Sequence, residues 1–411
     1  MKYDCLIIGG GAAGLAAAVS ARKENSKIKI GIVEKNDRVA KKIHATGNGR
    51  CNYTNMDIKS EYFFGDRSFI DKVLSSFGTA EAIKFFYELG IMHRVEDGRV
   101  YPVSNQASAI ADALRLYLME NNVDFIQDTF VSDISVNKNG EFCIGGIVAK
   151  KVIVATGGRA QPKLGSDGSG YKLLEKMGHK LSPIKPALVS LKTDTDKIKG
   201  LKGVKAFARV TLWDKKSEVA ADRGEVLFTD YGVSGIPVMQ ISRFAEKGMR
   251  ILVDMLPDMT IDEVISEIYT RIYKLPLREG GELFAGMVNK KIAIPMLKAA
   301  GVASSAVKAK DFTDENIRKC AEFLKRLSLT VTGDNGFENA QVCAGGIELD
   351  GFDARTMESK YVPNLYAAGE ILNVDAICGG YNLHWAWATG FLSGKNAGKK
   401  TGNSEEGIVK R

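Results

Sequence analysis

Residues 3 to 34 constrain the fold more than any other stretch. Tyr3-Asp4-Cys5-Leu6-Ile7-Ile8 is an apolar strand. It runs into Gly9-Gly10-Gly11-Ala12-Ala13-Gly14, then a helical segment, then Ile30-Gly31-Ile32-Val33-Glu34, a second apolar strand that ends on an acid. Strand, G-x-G-x-x-G turn, helix, strand and acid stand in the register of a dinucleotide-binding βαβ unit. Gly9 permits the tight turn, Gly11 admits a pyrophosphate against the backbone, and Gly14 lets the helix pack closely on the strand. The N–H groups and dipole of the helix start favour phosphate. Glu34 can accept hydrogen bonds from an adenosine ribose, and Lys35 follows it directly.

The rest of the chain is read around that unit. At 411 residues it has room for two or three domains. No apolar run reaches the ~20 residues of a membrane helix. The N-terminal apolar stretch is the first strand and not a secretory signal, so a cytoplasmic protein is expected. The six cysteines, Cys5, Cys51, Cys143, Cys320, Cys343 and Cys378, form no C-x-x-C and fit neither a disulfide framework nor a zinc site. The four histidines are scattered too, and no metal is expected. A net charge of +8 suits anionic cofactors or substrates without marking a nucleic-acid binder. The basic run from Lys395 to Arg411 reads as a frayed tail.

Apolar spacing predicts helices within 68–90 and at Ala107–Asn121, then strands at 123–136 and 141–149. Lys151 to Ala155 is a buried parallel strand that meets the turn Thr156-Gly157-Gly158, where the chain can cross the dinucleotide again. Past Pro183-Ile184-Lys185-Pro186 the character changes. Strand-like pieces fill 188–257, and helices fill 258–330, with a capping box at Thr260-Ile261-Asp262-Glu263 and another helix start at Thr313. Strand and glycine-turn character resumes at 340. The expected fold is α/β: a discontinuous Rossmann-type dinucleotide domain (1–187 and 340–411) interrupted by an insert at 188–339. The insert is expected to cover the cofactor and set substrate choice.

Two C-terminal motifs complete that domain. Tyr366-Ala367-Ala368-Gly369-Glu370 is a strand ending in glycine and an acid able to bond a polyol such as a ribityl chain. Cys378-Gly379-Gly380-Tyr381-Asn382 opens the last helix, with Asn382 as the expected N-cap. A helix N-terminus there would stabilise the negative charge of a reduced flavin. Gly165-Ser166-Asp167-Gly168-Ser169-Gly170-Tyr171 lacks a preceding strand and is not read as a second dinucleotide site. Trp385 and Trp387 read as domain-packing residues. Cys51 and Cys378 lack the spacing of a redox disulfide.

These motifs resemble the BaiN/YhiN-like bacterial flavoproteins, also labelled aminoacetone oxidase-like or NAD(P)/FAD-dependent oxidoreductases. The resemblance rests on Gly9 to Gly14 with Glu34, the block Lys42-Ile43-His44-Ala45-Thr46-Gly47-Asn48-Gly49-Arg50-Cys51-Asn52, Ala155-Thr156-Gly157-Gly158, Pro186-Ala187-Leu188-Val189, Tyr231-Gly232-Val233-Ser234-Gly235, Ala340 to Gly346 and Gly379-Gly380-Tyr381-Asn382. It implies non-covalent FAD, a glutathione-reductase-like FAD domain, and a β-rich insert carrying a helical subdomain. The implied contacts are Gly9, Gly11, Ala12, Ala13 and Gly14 on pyrophosphate, and Glu34 on ribose, with Lys35 and Val131 nearby. Gly47, Asn48, Gly49, Arg50, Cys51 and Asn52 lie beside the cofactor, as do Ala155, Thr156 and Gly157. Gly369, Glu370, Gly380, Tyr381, Asn382 and Leu383 surround ribityl and flavin.

The resemblance does not fix the substrate; the expected activity is reduction of an activated C=C of enone type, steroid- or bile-acid-like, by hydride from flavin N5 with NAD(P)H as transient electron donor. The alternatives are an amine oxidase using O₂ and a flavoprotein that modifies an RNA base. Lys192–Lys205 and Lys395–Lys400 are thin candidates for RNA contact. His384 and His44 depart from the family pattern, which has Gln and an aliphatic residue there. Both are candidate proton donors, as are Tyr381 and Tyr231. The expected partner is a small-molecule substrate, with neither membrane nor nucleic acid, and the sequence sets no oligomeric state.

Overall fold

The computed structural model describes residues 1–400, and residues 401–411 lie outside it. The chain divides into two compact units. One is Met1–Lys185 together with Val342 onward, and the other is Pro186–Gln341.

The first unit is built on a seven-stranded sheet. Strands Asp124–Ile126, Ile30–Val33, Lys2–Ile8 and Ile147–Val154 lie parallel in that order. Leu365–Ala367 pairs in parallel with Val152–Val154. Ile30–Val33 and Leu365–Ala367 are buried throughout, the mark of strands covered on both faces. The helix Ala12–Glu24 is almost entirely buried from Ala13 to Arg22. Its small side chains let the last helix, Tyr381–Gly398, come close. A Cβ on Gly390, Gly394 or Gly398 would collide with the backbone of Ala13, Ala17 or Ala21, so two four-residue periodicities interlock.

Three local expectations are corrected here. The strand expected at 123–136 is only Asp124–Ile126 and Ser135–Val136. The chain leaves the sheet because Asp128 N and Thr129 N donate to the carbonyls of Asn36 and Glu34. The strand expected at 141–149 is a hairpin of Phe142–Ile144 and Ile147–Val154, turned by Gly145 and Gly146, both at positive φ. The basic run from Lys395 is helical as far as Gly398, and its part beyond residue 400 lies outside the described residues.

The second unit is a closed six-stranded barrel. Its strands are, in spatial order, Leu191–Thr193, Gly232–Ser234, Glu218–Phe228, Lys205–Trp213, Arg250–Asp254 and Leu327–Asp334. In Lys205–Trp213 the buried Ala208, Val210 and Leu212 alternate with outward Phe207 and Arg209. Four helices stand between the last two strands: Ile261–Lys274, Gly280–Leu283, Lys290–Ala299 and Asp314–Arg326. The expected box closes on Thr260, whose backbone N donates to Glu263 at 2.7 Å while its hydroxyl accepts from Glu263 N at 3.2 Å. Helix does not reach 330, because Leu327 onward is the strand that closes the barrel.

Each unit has its own hydrophobic core. Among the described residues no helix is long and apolar enough to cross a membrane, and no group of side chains is placed to hold a metal.

Candidate active site

The first turn carries the expected close contacts. Gly9 has φ 105°, and a Cβ on it would lie 2.5 Å from the Ala155 carbonyl. A Cβ on Gly14 would collide with the Gly9 carbonyl. Gly11 differs, because a Cβ there would meet nothing within 4 Å. The turn is thus tight on the protein side and open at the position where a pyrophosphate would approach. The Glu34 carboxylate buttresses it. One oxygen accepts from Gly10 N at 2.8 Å, and the other from Asn36 N at 2.9 Å and Asn36 Nδ2 at 2.6 Å. A carboxylate oxygen with a single donor keeps a lone pair for a ribose hydroxyl. Lys35 turns to Asp167 at 2.6 Å, and Val131 is half-buried against the core.

The C-terminal motif arrives at the same place. A Cβ on Gly369 would lie 2.8 Å from that of Ala13, and Gly369 N donates to Thr389 Oγ1 at 2.9 Å. Glu370 pairs with Lys42 at 2.8 Å and accepts from Cys343 N at 2.9 Å. Residues 42, 343 and 370, distant in sequence, thereby meet beside the first turn.

The block Thr46 to Asn52 is an irregular loop. Gly47, Asn48, Gly49 and Cys51 all have φ between 54° and 82°. Asn tolerates the left-handed region, but a buried Cys51 held there is strained by roughly 1–3 kcal/mol, and such strain gathers at functional sites. Burial pushes the Cys51 thiol up to about 12, so it stays protonated. Arg50 is fixed by Glu96 at 2.7 Å and by the Tyr101 ring at 4.3 Å. Gly47 to Gly49 are exposed.

The chain just beyond this block was not singled out in the sequence, and it ties the loop to the last helix. Asn55 Nδ2 donates to Gly379 O at 3.0 Å, and a Cβ on Gly380 would lie 2.7 Å from Thr54 O and 3.0 Å from Asn52 O. The available signal was Tyr53-Thr54-Asn55 running straight on from Asn52. Asn382 is not the N-cap. Gly380, at φ 101°, holds that place, and the Asn382 amide instead accepts from Ala376 N and donates to Ala376 O, both at 2.9 Å. Leu383 is half-buried beside it.

The proton-donor candidates fare differently. His384 is wholly buried. Its Nδ1 lies 2.8 Å from Thr54 Oγ1 and its Nε2 3.0 Å from the Phe77 carbonyl. The carbonyl can only accept, so Nε2 carries the proton and Nδ1 accepts from Thr54. Burial lowers its pKa to about 4. The ring is neutral, its Nε2 proton is held on a buried carbonyl and its Nδ1 is taken by Thr54, an arrangement that speaks against the expected acid role of His384. His44 ends the short helix Lys41–His44 and is exposed. Tyr381 opens the last helix, packed on Tyr62 and Phe63 at 5.1 and 6.0 Å between ring centroids, and burial raises its pKa to about 12. Tyr231 belongs to the other unit. Trp385 and Trp387 are buried, donating to Gly369 O and Tyr53 O. None of the six cysteines is joined in a disulfide. The insert has its own cleft of about 590 Å³, lined by Lys205, Phe207, Met255, Met259 and Met287, among others; it holds none of the candidate cofactor or proton-donor residues, and Lys205 is the end of the Lys192–Lys205 stretch.

The fold and this site define a dinucleotide-binding Rossmann protein whose ligand domain is split by a barrel insert. The chain matches the HI0933-like protein Rossmann domain over residues 3–396. It belongs to that family, the group of bacterial flavoproteins its motifs resemble. It is 39% identical to the 3-dehydro-bile acid delta(4,6)-reductase of Clostridium scindens, covering 96% of this chain and 98% of that one. It is 27% identical to the ribosomal RNA dihydrouridine synthase of Haemophilus influenzae, covering 94% and 96%. Among solved structures it is similar in fold to the 3-ketosteroid-delta4-(5alpha)-dehydrogenase of Rhodococcus jostii RHA1, with TM-score 0.52, 14% identity and 97% of each chain covered.

Proposed function

We propose that the protein is an FAD-dependent reductase of a C=C bond conjugated to a carbonyl, an enone of steroid or bile-acid type. One observation carries this: Gly369–Glu370 and the open Gly9–Gly14 turn converge in one unit, in a chain 39% identical to a bile-acid reductase along nearly its whole length. The residues fit FAD. The N–H groups from Gly11 to Gly14 would receive the pyrophosphate, Glu34 the ribose, Glu370 the ribityl chain, and the loop 47–52 and the helix start 380–383 the flavin ring. When bound, FAD would supply the hydride-transfer chemistry, with NAD(P)H as the electron donor.

The chain's own task is the proton for the α carbon. Tyr381 holds its hydroxyl proton up to about pH 12, in the first turn of the last helix. It can give that proton to the α carbon and regain one from water, which balances the hydride. His44, exposed beside the same loop, is the second candidate.

A second reading is favoured by the Haemophilus influenzae relative. It keeps the reaction and changes the substrate to a uracil base in RNA, whose C5=C6 bond is also conjugated to a carbonyl.

Anaerobic mixing with NADH or NADPH is expected to bleach the visible flavin band, and an enone to restore it. Restoration by a uridine-containing RNA and not by enones selects the second reading. Bleaching by a small amine and by neither nucleotide would sink both in favour of an amine oxidase.

A further inference from the structure

The glycine-rich segment Gly165–Tyr171 has no strand before it and no place in the proposal above, yet it folds back onto the loops that follow Ile30–Val33 and Ile147–Val154. Asp167 pairs with Lys35 at 2.6 Å. A Cβ on Gly165 would collide with the Asn36 amide, which itself donates to Glu34. A Cβ on Gly157 would lie 2.6 Å from Ser166 Oγ, and one on Gly170 would collide with the Thr156 side chain. The segment therefore runs along the carboxyl ends of Lys2–Ile8, Ile30–Val33 and Ile147–Val154, the edge at which open α/β sheets hold ligands.

Two hydroxyls here, Thr156 Oγ1 and Tyr171 OH, are buried without a hydrogen-bond partner. Tyr171 is 4% exposed. Burial, then the neighbouring Cys343 and Glu370, push its pKa far above the ordinary phenol range, so the group remains a donor. A Cβ on Gly158 would lie 3.1 Å from Tyr171 OH, 3.1 Å from Glu370 Oε1 and 3.2 Å from Cys343 Sγ. The unsatisfied phenol thus stands beside the carboxylate assigned to the ribityl chain. Folded proteins rarely leave a buried hydroxyl unpaired, and two such groups on one segment and the turn it packs against call for an acceptor from outside the chain.

We infer that the segment Gly165–Tyr171 is a wall of the cofactor site and that Tyr171, with Thr156, donates hydrogen bonds to oxygens of the ribityl–pyrophosphate part of the bound dinucleotide. The inference rests on the FAD reading of the preceding subsection.

The test is FAD binding to apoprotein, followed by flavin fluorescence, beside the apoprotein's melting temperature. Tyr171→Phe and Thr156→Val keep shape and remove one donor each. Each is expected to weaken FAD binding about tenfold. Neither should lower the apoprotein's melting temperature, because each deletes a group that has no partner there. An FAD affinity of Tyr171→Phe within twofold of the unsubstituted protein overturns the inference and leaves the FAD reading standing; a buried water would then satisfy the phenol. If Tyr171→Phe does not fold, Thr156→Val decides by the same criterion. Failure of the unsubstituted protein to bind FAD overturns the parent reading, and this one with it.

Discussion

His384 shows how a residue's chemistry depends on partners its neighbours in sequence do not reveal. Its sequence position, three residues into the last helix and next to the glycine turn, suits an acid. Thr54 and Phe77, 330 and 307 residues away along the chain, make it a structural histidine. The consequence is a pH dependence of stability. Its folded pKa, about 4, lies below the ordinary 6.5. Between those values the unfolded chain holds a proton that the folded chain refuses. The stability from the neutral ring is therefore complete above pH 6.5 and is lost as pH falls toward 4. His179, stacked on Phe352 at 4.2 Å and also lowered to about 4 by burial, acts in the same direction. His384→Gln can keep both hydrogen bonds, one through its amide N–H and one through its oxygen. It is expected to flatten the fall of melting temperature between pH 6.5 and 4 and to leave the pH profile of turnover unchanged. A changed turnover profile would restore the acid role. Gly14 is legible at this scale, since its motif alone predicts the close approach that the Gly9 carbonyl makes.

Among elements, those set by local chemistry follow the sequence closely. The Thr260 box appears where its residues predict it, and Thr260→Ala should cost about 1 kcal/mol of stability, read from a denaturant midpoint. Pairing decides the elements that sequence misplaces. The 127–134 stretch has strand-like residues but spends its backbone donors on the loop after the second strand. The last helix is the larger lesson. Its glycines at 390, 394 and 398 recur every four residues, a visible signal whose meaning appears only when the Ala12–Glu24 helix is laid on them. Gly394→Ala improves intrinsic helix propensity by about 1 kcal/mol. It should nonetheless destabilise the protein by roughly 1–3 kcal/mol, because the added methyl collides with the Ala17 carbonyl. A raised denaturant midpoint in that variant would refute the packing argument.

For the whole molecule, two separate cores predict two unfolding events. If FAD binds the Rossmann unit, calorimetry should show one transition rising with FAD concentration and the other fixed, as expected for a ligand bound to one folded unit only. A common shift of both would show the cofactor bridging the units. The sequence by itself determined the dinucleotide turn, the parallel strands that feed it and the change of character near residue 186. Those depend on local backbone geometry, apolar runs and glycine placement, which are written along the chain. Tertiary structure alone decided that Leu327–Asp334 closes a barrel, that Glu370 meets Lys42 and Cys343, and that His384 is sealed between Thr54 and Phe77. Each of these depends on groups from 27 to 330 residues apart reaching hydrogen-bond distance, and no local pattern encodes such meetings.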